Sequence, residues 1–221
     1  MKKSIKSLLR LNIKTLYFNY KYLPLKQAIK LPIIVSNKLY FRKTIGKIIF
    51  DCPIRTGLVH IGFGEVGIFD NKKSRSIWNV AGTVVFKGKA DIGHGSKISV
   101  GESGTLILGE NFIVTAESTI VTYSEILFGK NCLLSWDILV MDTDLHKIKN
   151  KSGSIINDPQ PIFVGNDVWI GCRSLILKGA TIPNGCIIGA NSTISKKLES
   201  ESCLYVGSPA KCFREDITWE I

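Results

Sequence analysis

The sequence predicts an all-β solenoid of stacked parallel coils, with a small, basic, partly helical segment at its N-terminus. Three observations carry that expectation. Aliphatic residues recur every six positions over long stretches, small residues tend to follow them at a fixed offset, and residues 1–45 interleave lysine and arginine with leucine, isoleucine and tyrosine.

The repeat is strictest between Val164 and Ile194, where Val164, Ile170, Ile176, Ile182, Ile188 and Ile194 keep the spacing of six without a slip. Four positions after each stand Val168, Ser174, Ala180, Cys186, Ser192 and Leu198, and Gly165, Gly171 and Gly189 directly follow three of the aliphatics. A helix needs apolar residues three and four apart, and a half-buried strand needs strict alternation over a short run. A period of six fits neither. It fits a chain that turns a corner every six residues, with one aliphatic side chain per short flat pointing inward. Stacking such coils buries a continuous aliphatic column, and small residues, glycine and asparagine suit the tight corners. Upstream the same spacing links Val80, Phe86, Ile92 and Ile98, then Val100 and Leu106, then Leu108, Val114, Ile120 and Ile126, and finally Phe128, Leu134 and Val140. Two-residue slips separate these runs, and each reads as a slightly longer corner. The expected organisation is therefore a basic arm over 1–45, the repeat over 46–203 with a loop at 141–163, and a tail over 204–221.

Composition narrows the function classes. The net charge of +11 implies attraction to an anionic partner without choosing among nucleic acid, membrane surface and phosphorylated ligand. No nucleic-acid-binding motif accompanies the charge, which argues against nucleic acid. The six cysteines form no C-x-x-C pair, so they read as reduced, mostly buried thiols. No apolar run reaches the ~18 residues of a spanning helix, and no signal-peptide cleavage pattern opens the chain, so a cytoplasmic protein is expected.

Between Val140 and Val164 the repeat character is lost in the polar stretch MDTDLHKIKNKSGSIINDPQPIF, which contains Asp142, Asp144 and His146. A polar excursion from a rigid scaffold is where chemistry usually sits. Moving an acyl group from a thioester to a hydroxyl requires removal of the hydroxyl proton, and a neutral imidazole does this near neutral pH. His146 is the candidate general base. Asp144 is the first candidate to orient its ring or hold an acceptor, and Asp142 the second. His146 lies six residues after Val140, so it also counts as a seventh inward position. His94, in the sequence I-G-H-G, reads as a surface corner.

The segment Ser135–His146, S-W-D-I-L-V-M-D-T-D-L-H, resembles the catalytic stretch of the hexapeptide-repeat O-acetyltransferases of sugars and surface polysaccharides, among them the maltose and galactoside acetyltransferases. The resemblance implies coils wound left-handed, an exception to the usual right-handed crossover. It implies that His146 is the base and that Trp169, in N-D-V-W-I-G, lines the site. It places coenzyme A contacts on Gly171, Cys172, Ala190, Ser195 and Lys196. The ending G-S-P-A-K, Gly207–Lys211, matches the family pattern, so that Lys211 and Arg214 face the cofactor phosphates. An asparagine usual before the catalytic coil is replaced in the region of Thr115 to Glu117, which makes acceptor contact by Thr115 and Glu117 an expectation of position only. A homotrimer with sites between subunits is also implied, with acetyl-CoA as co-substrate and a sugar or glycan as acceptor.

Two alternatives remain beside acetylation of a cell-surface polysaccharide or oligosaccharide hydroxyl. One is an N-acetyltransferase of a nucleotide-linked amino sugar, and the other is a non-catalytic scaffold of the same fold. A zinc enzyme of the γ-carbonic anhydrase type is set aside and no metal is expected, because no two of His60, His94 and His146 lie close together in the sequence. For the arm, where Ser4–Tyr20 reads as an amphipathic helix, two roles compete: capping the open end of the solenoid, or lying on an anionic membrane, at the inner face of which the enzyme would meet its glycan.

Overall fold

The computed structural model describes residues 10–220. Its strands form three parallel sheets that share one aliphatic core. The first sheet has nine strands, the second seven and the third six. Successive strands step from sheet to sheet, and every third strand stacks on its predecessor. A representative coil is β10 (Phe112–Ala116), β11 (Thr119–Thr122) and β12 (Glu125–Phe128). It stacks on β7 (Ala90–Gly93), β8 (Lys97–Val100) and β9 (Thr105–Leu108), with Val114 over Ile92, Ile120 over Ile98 and Ile126 over Leu106. All the aliphatic positions read from the period of six are buried, Val80 through Ile194, as are all the small residues from Val168 to Leu198.

One reading is corrected. The two-residue slips are not longer corners. Ile98 and Val100 both lie in β8, Leu106 and Leu108 in β9, and Ile126 and Phe128 in β12, and each of these strands alternates half-buried with buried residues. A four-residue strand points two side chains to the same face, so the slip is a second inward residue on a longer flat. The strict period of six returns where the strands shorten, as in β16 (Trp169–Ile170), β19 (Ile187–Ile188) and β20 (Thr193–Ile194).

The corners turn through left-handed backbone. Asn111, Asn131 and Asp167, with φ of 58°, 56° and 57°, stack in one column, where Asn111 Nδ2 donates to Asn131 Oδ1 at 3.0 Å and Asn131 Nδ2 to Asp167 Oδ1 at 2.7 Å. Asparagine and aspartate tolerate this region better than most residues, and the ladder joins three coils through their corners.

The solenoid begins before residue 46. β1 (Ile33–Val35), β2 (Tyr40–Thr44) and β3 (Lys47–Phe50) already form a first coil, with β1 parallel to β4 (Val59–Phe63). No spacing of six announced it, because Ile33, Ile34 and Val35 are all buried. Helix α1 spans Ile13–Tyr22, capped by Asn12, whose side chain accepts from Thr15 N–H. It is shorter than the expected Ser4–Tyr20 helix, whose residues 4–9 lie outside the described ones. Its inward face is polar where it meets the strand edge. Asn19 Nδ2 donates to Ile33 C=O at 2.6 Å while Asn19 Oδ1 accepts from Ile33 N–H at 3.1 Å. Thr15 Oγ1 donates to Val35 C=O at 3.2 Å and accepts from Val35 N–H at 3.1 Å. Two side chains thus stand in for the coil that would lie below. Beside them Phe18 is buried with its ring 5.2 Å from Trp78, whose Nε1 donates to Tyr22 Oη at 2.8 Å.

At the other end the hairpin β21 (Leu204–Gly207) and β22 (Ala210–Arg214) closes the first sheet antiparallel. Replacing Asn19 by Ala strands the N–H and C=O of Ile33 in a buried setting, so urea denaturation should show a loss of about 2–4 kcal/mol. An unchanged midpoint would mean that the side chain does not substitute for a coil.

Candidate functional site

The one long interruption of the upper coils leaves after β14 (Leu139–Met141) and returns at β15 (Ile162–Val164). Register resumes across it, with Val140 over Ile120 and Val164 beside Phe128. The departure point is fixed by Asp142. It is fully buried, and its carboxylate accepts from Thr122 Oγ1 at 2.5 Å, Tyr123 N–H at 2.8 Å and Ser124 N–H at 2.9 Å. The structure therefore corrects its reading as an acceptor ligand: Asp142 ties the loop to the coil below.

His146 is exposed, not the seventh inward residue of the count. The chain leaves the inward track just before it, at Leu145, a non-glycine residue in the left-handed region with φ of 61°. Around it the loop is fastened by one asparagine that the sequence did not single out. Asn157 Nδ2 donates to the carbonyl of His146 and to Asp144 Oδ2, both at 2.8 Å, and its Oδ1 accepts from Ile148 N–H at 2.6 Å. Lys178, at the corner after β17 (Leu175–Leu177), donates to Asp144 Oδ2 at 2.5 Å and to the Asn157 carbonyl at 3.1 Å. Oδ2 of Asp144 is thus given to Lys178 and Asn157. The hydrogen bond from Lys178 first, and that from Asn157 second, hold Asp144 below the usual carboxylate range. Lower in the loop, Gln160 N–H donates to the Asp142 carbonyl at 3.0 Å and Gly179 N–H to that of Gln160 at 3.3 Å.

The remaining sequence-derived residues divide between different parts of one chain. Ser195 and Lys196 are exposed just after β20, at the corner between second and third sheets from which the loop also departs. Cys172 and Ala190 lie at the corner between first and second sheets, where Asn191 N–H donates to the Cys172 carbonyl at 2.8 Å. Gly171 is buried between coils; a Cβ there would lie 2.7 Å from Ala190 N, so coil stacking is what demands glycine. Trp169, half-buried on the first sheet, donates Nε1–H to Ser135 Oγ at 3.1 Å and has its ring 6.2 Å from Trp219. Lys211 and Arg214 are exposed on β22.

Thr115 and Glu117 belong to β10 and the corner after it, not to the loop. Glu117 accepts from Ser74 Oγ at 2.5 Å and Lys97 Nζ at 3.1 Å. Burial pushes its carboxyl up, but these two hydrogen bonds outweigh that and lower it. Ser74 comes from a second excursion, between β4 and β5 (Ile77–Val80), that the sequence reading did not identify. The same excursion corrects His94: it is 3% exposed, not at the surface, with Phe69 edge-on at 6.2 Å and no hydrogen-bond partner on either nitrogen. Cys132, Cys186 and Cys203 are buried and Cys52 and Cys172 half-buried, whereas Cys212 is exposed with Sγ 2.8 Å from that of Cys203. Together with Glu215 these two form a trio of donor atoms within 4.8 Å of one another, on the C-terminal hairpin.

Comparison with known proteins bears out the repeat and the resemblance. Residues 161–196 match the family described as bacterial transferase hexapeptide (six repeats). The chain is 31% identical over 110 residues to galactoside O-acetyltransferase of Escherichia coli (strain K12), covering 49% of this chain and 53% of that protein. It is 36% identical over 104 residues to polysialic acid O-acetyltransferase of Neisseria meningitidis, covering 47% and 48%. The chain spans about half the length of the curated relatives it matches. Among solved structures, the polySia specific acetyltransferase NeuO superposes with a TM-score of 0.54 at 23% identity, covering 86% of this chain and 82% of that one. The shared fold is the left-handed parallel β-helix.

The two loop carboxylates should respond differently to substitution. Asp142→Ala leaves three buried donors unmet and should cost about 3 kcal/mol by denaturant unfolding, whereas Asp144→Ala at the surface should change stability by less than about 0.5 kcal/mol. Equal losses would erase the distinction. Because the Asp144 pKa is lowered on folding, its tether is complete above the ordinary carboxylate pKa near ~4 and is lost as pH falls through the lowered value. Amide exchange of Ile148 should therefore hold steady from neutral pH down to that range, after correction for intrinsic exchange, and rise below it.

Proposed function

We propose that the protein transfers the acetyl group of acetyl-CoA to a sugar hydroxyl of a surface polysaccharide or oligosaccharide, with His146 as general base. The observation that carries this reading is the loop itself. Among the described residues, the one long polar excursion from the upper coils presents an exposed imidazole, and Asn157, Asp144 and Lys178 fasten the backbone on both sides of it. The likeness to a galactoside and a polysialic acid O-acetyltransferase supports a sugar hydroxyl as acceptor.

The chemistry follows from those groups. A neutral imidazole accepts the acceptor hydroxyl proton as the oxygen attacks the thioester carbonyl, and the thiolate of coenzyme A leaves. No protein nucleophile is needed. Asp144 and Lys178 neutralise one another and act through the loop, so they are positioning residues. The exposed cations Lys196, Lys211 and Arg214 suit the phosphates of the co-substrate.

Two corners of one chain hold the groups assigned to one site. His146, Ser195 and Lys196 are at the loop corner, and Cys172 and Ala190 are at the preceding one. A site using all of them takes the loop of one copy against the neighbouring corner of another, and three copies around an axis make three such sites. Sedimentation should then give the mass of a trimer.

Acetyl-CoA turnover with a panel of oligosaccharides and amino sugars tests the reading. His146→Ala should lower kcat by about 10²–10⁴-fold while leaving coenzyme A affinity and Tm unchanged. Equal turnover by the variant would remove His146 from the mechanism. A protein that binds no acetyl-CoA would be a scaffold, and acetylation confined to an amino sugar would replace the hydroxyl acceptor with an amine.

A further inference from the structure

The charge of this chain sits at one end. Residues 1–50 contain ten lysines, two arginines and no aspartate or glutamate, so they carry +12. The other 17 cations face all 18 acidic residues, and the rest of the chain nets −1. The whole excess of +11 is therefore a property of the arm and first coil.

Helix α1 in that arm buries one apolar residue, Phe18, and leaves a whole apolar stripe outside. A surface helix buries the stripe i, i+3, i+4, i+7 when that stripe is apolar. Here Ile13, Leu16, Tyr17 and Tyr20 occupy that stripe and are 85%, 45%, 49% and 51% exposed, while Thr15 and Asn19 are buried against the strand edge and Phe18 against Trp78. The inward face is accounted for by capping through Thr15 and Asn19 and by the packing of Phe18. The apolar outward face is not. Just beyond the helix Leu25 and Ile29 are 66% and 60% exposed, flanked by exposed Lys21, Lys26 and Lys30.

We infer that this face docks on an anionic lipid bilayer, with Ile13, Leu16, Tyr20, Leu25 and Ile29 entering the headgroup boundary and the lysines meeting the acidic headgroups. A soluble anionic polymer satisfies the charge but gives no return for burying isoleucine and leucine, whereas a bilayer satisfies both. A second copy of the chain would bring +12 against +12. Among the described residues no helix is long and apolar enough to cross a membrane, so the contact is interfacial. Capping and docking, which the sequence leaves as alternatives, are assigned to opposite faces of the same helix. The inference is independent of the acetyl-transfer reading, since it concerns a different end of the solenoid.

Co-sedimentation of the full chain with vesicles tests it. The protein should pellet with vesicles of phosphatidylcholine mixed with phosphatidylglycerol, stay in solution with phosphatidylcholine alone, and release as salt rises. The variant Ile13→Ser/Leu16→Ser/Tyr20→Ser should weaken anionic-vesicle binding by about tenfold or more, with Tm and sedimented mass unchanged. Lys21→Gln/Lys26→Gln/Lys30→Gln should weaken it and flatten the salt dependence. Failure of the wild type to bind anionic vesicles at low salt would overturn the inference. So would serine variants that bind as well as wild type while soluble heparin competes fully, because the partner would then be an acidic polymer. A fall in sedimented mass on serine substitution would also overturn it, by making the face an interface between copies.

Discussion

Every coil of this solenoid offers its backbone N–H and C=O groups along the stacking axis, and the structure stands only where each row meets a partner. Within the stack the next coil supplies that partner, as when Thr119 N–H meets Ile138 C=O and Leu139 N–H meets Ser174 C=O. At the ends the chain must find substitutes. An unmet buried backbone group costs as much as several favourable contacts return. At the N-terminal end the substitutes are Asn19 and Thr15, each giving and taking one hydrogen bond from β1. At the C-terminal end a hairpin turns β22 back against β21. The same demand shapes α1, which presents Thr15 and Asn19 to the strand edge beside Phe18 and leaves an apolar stripe outside.

The constraint also governs the loop. An excursion between two strands threatens the register of every coil above it. Asp142 absorbs the departure by taking three donors from the coil below, and the Gln160–Gly179 contact restores the track. Between those points the chain is free of the repeat, and only there does a histidine reach the outside with its flanking backbone held. The proposed function places its base at a fault in the period, which the scaffold tolerates because its two edges are sealed.

What the sequence made legible is what repeats. Inward residues from Val80 to Ile194 are fixed by a spacing that no helix shares, and the loss of that spacing marked the loop and His146. What remained hidden depends on contacts between residues distant in the chain. Ser74 reaches Glu117 across 43 positions and Lys178 reaches Asp144 across 34, and no local pattern announces either. Asp142 and Asp144, two residues apart in one polar stretch, looked equivalent, yet one is sealed in the wall and the other is tethered at the surface. The slips misled because a pleated strand of four residues hides an alternation inside a longer period. His94 misled because the segment that covers it keeps no register with the coils.

In the proposed function the fastened loop, rather than the histidine alone, makes the site. The most direct measurement is steady-state acetyl transfer by Asn157→Ala beside the wild type, with Tm followed in parallel. Loss of the double contact to Asp144 and His146 should lower kcat on the order of 10- to 100-fold through misplacement of the base, with coenzyme A affinity intact and Tm shifted by less than about 2 °C. A kcat equal to that of the wild type would contradict the account.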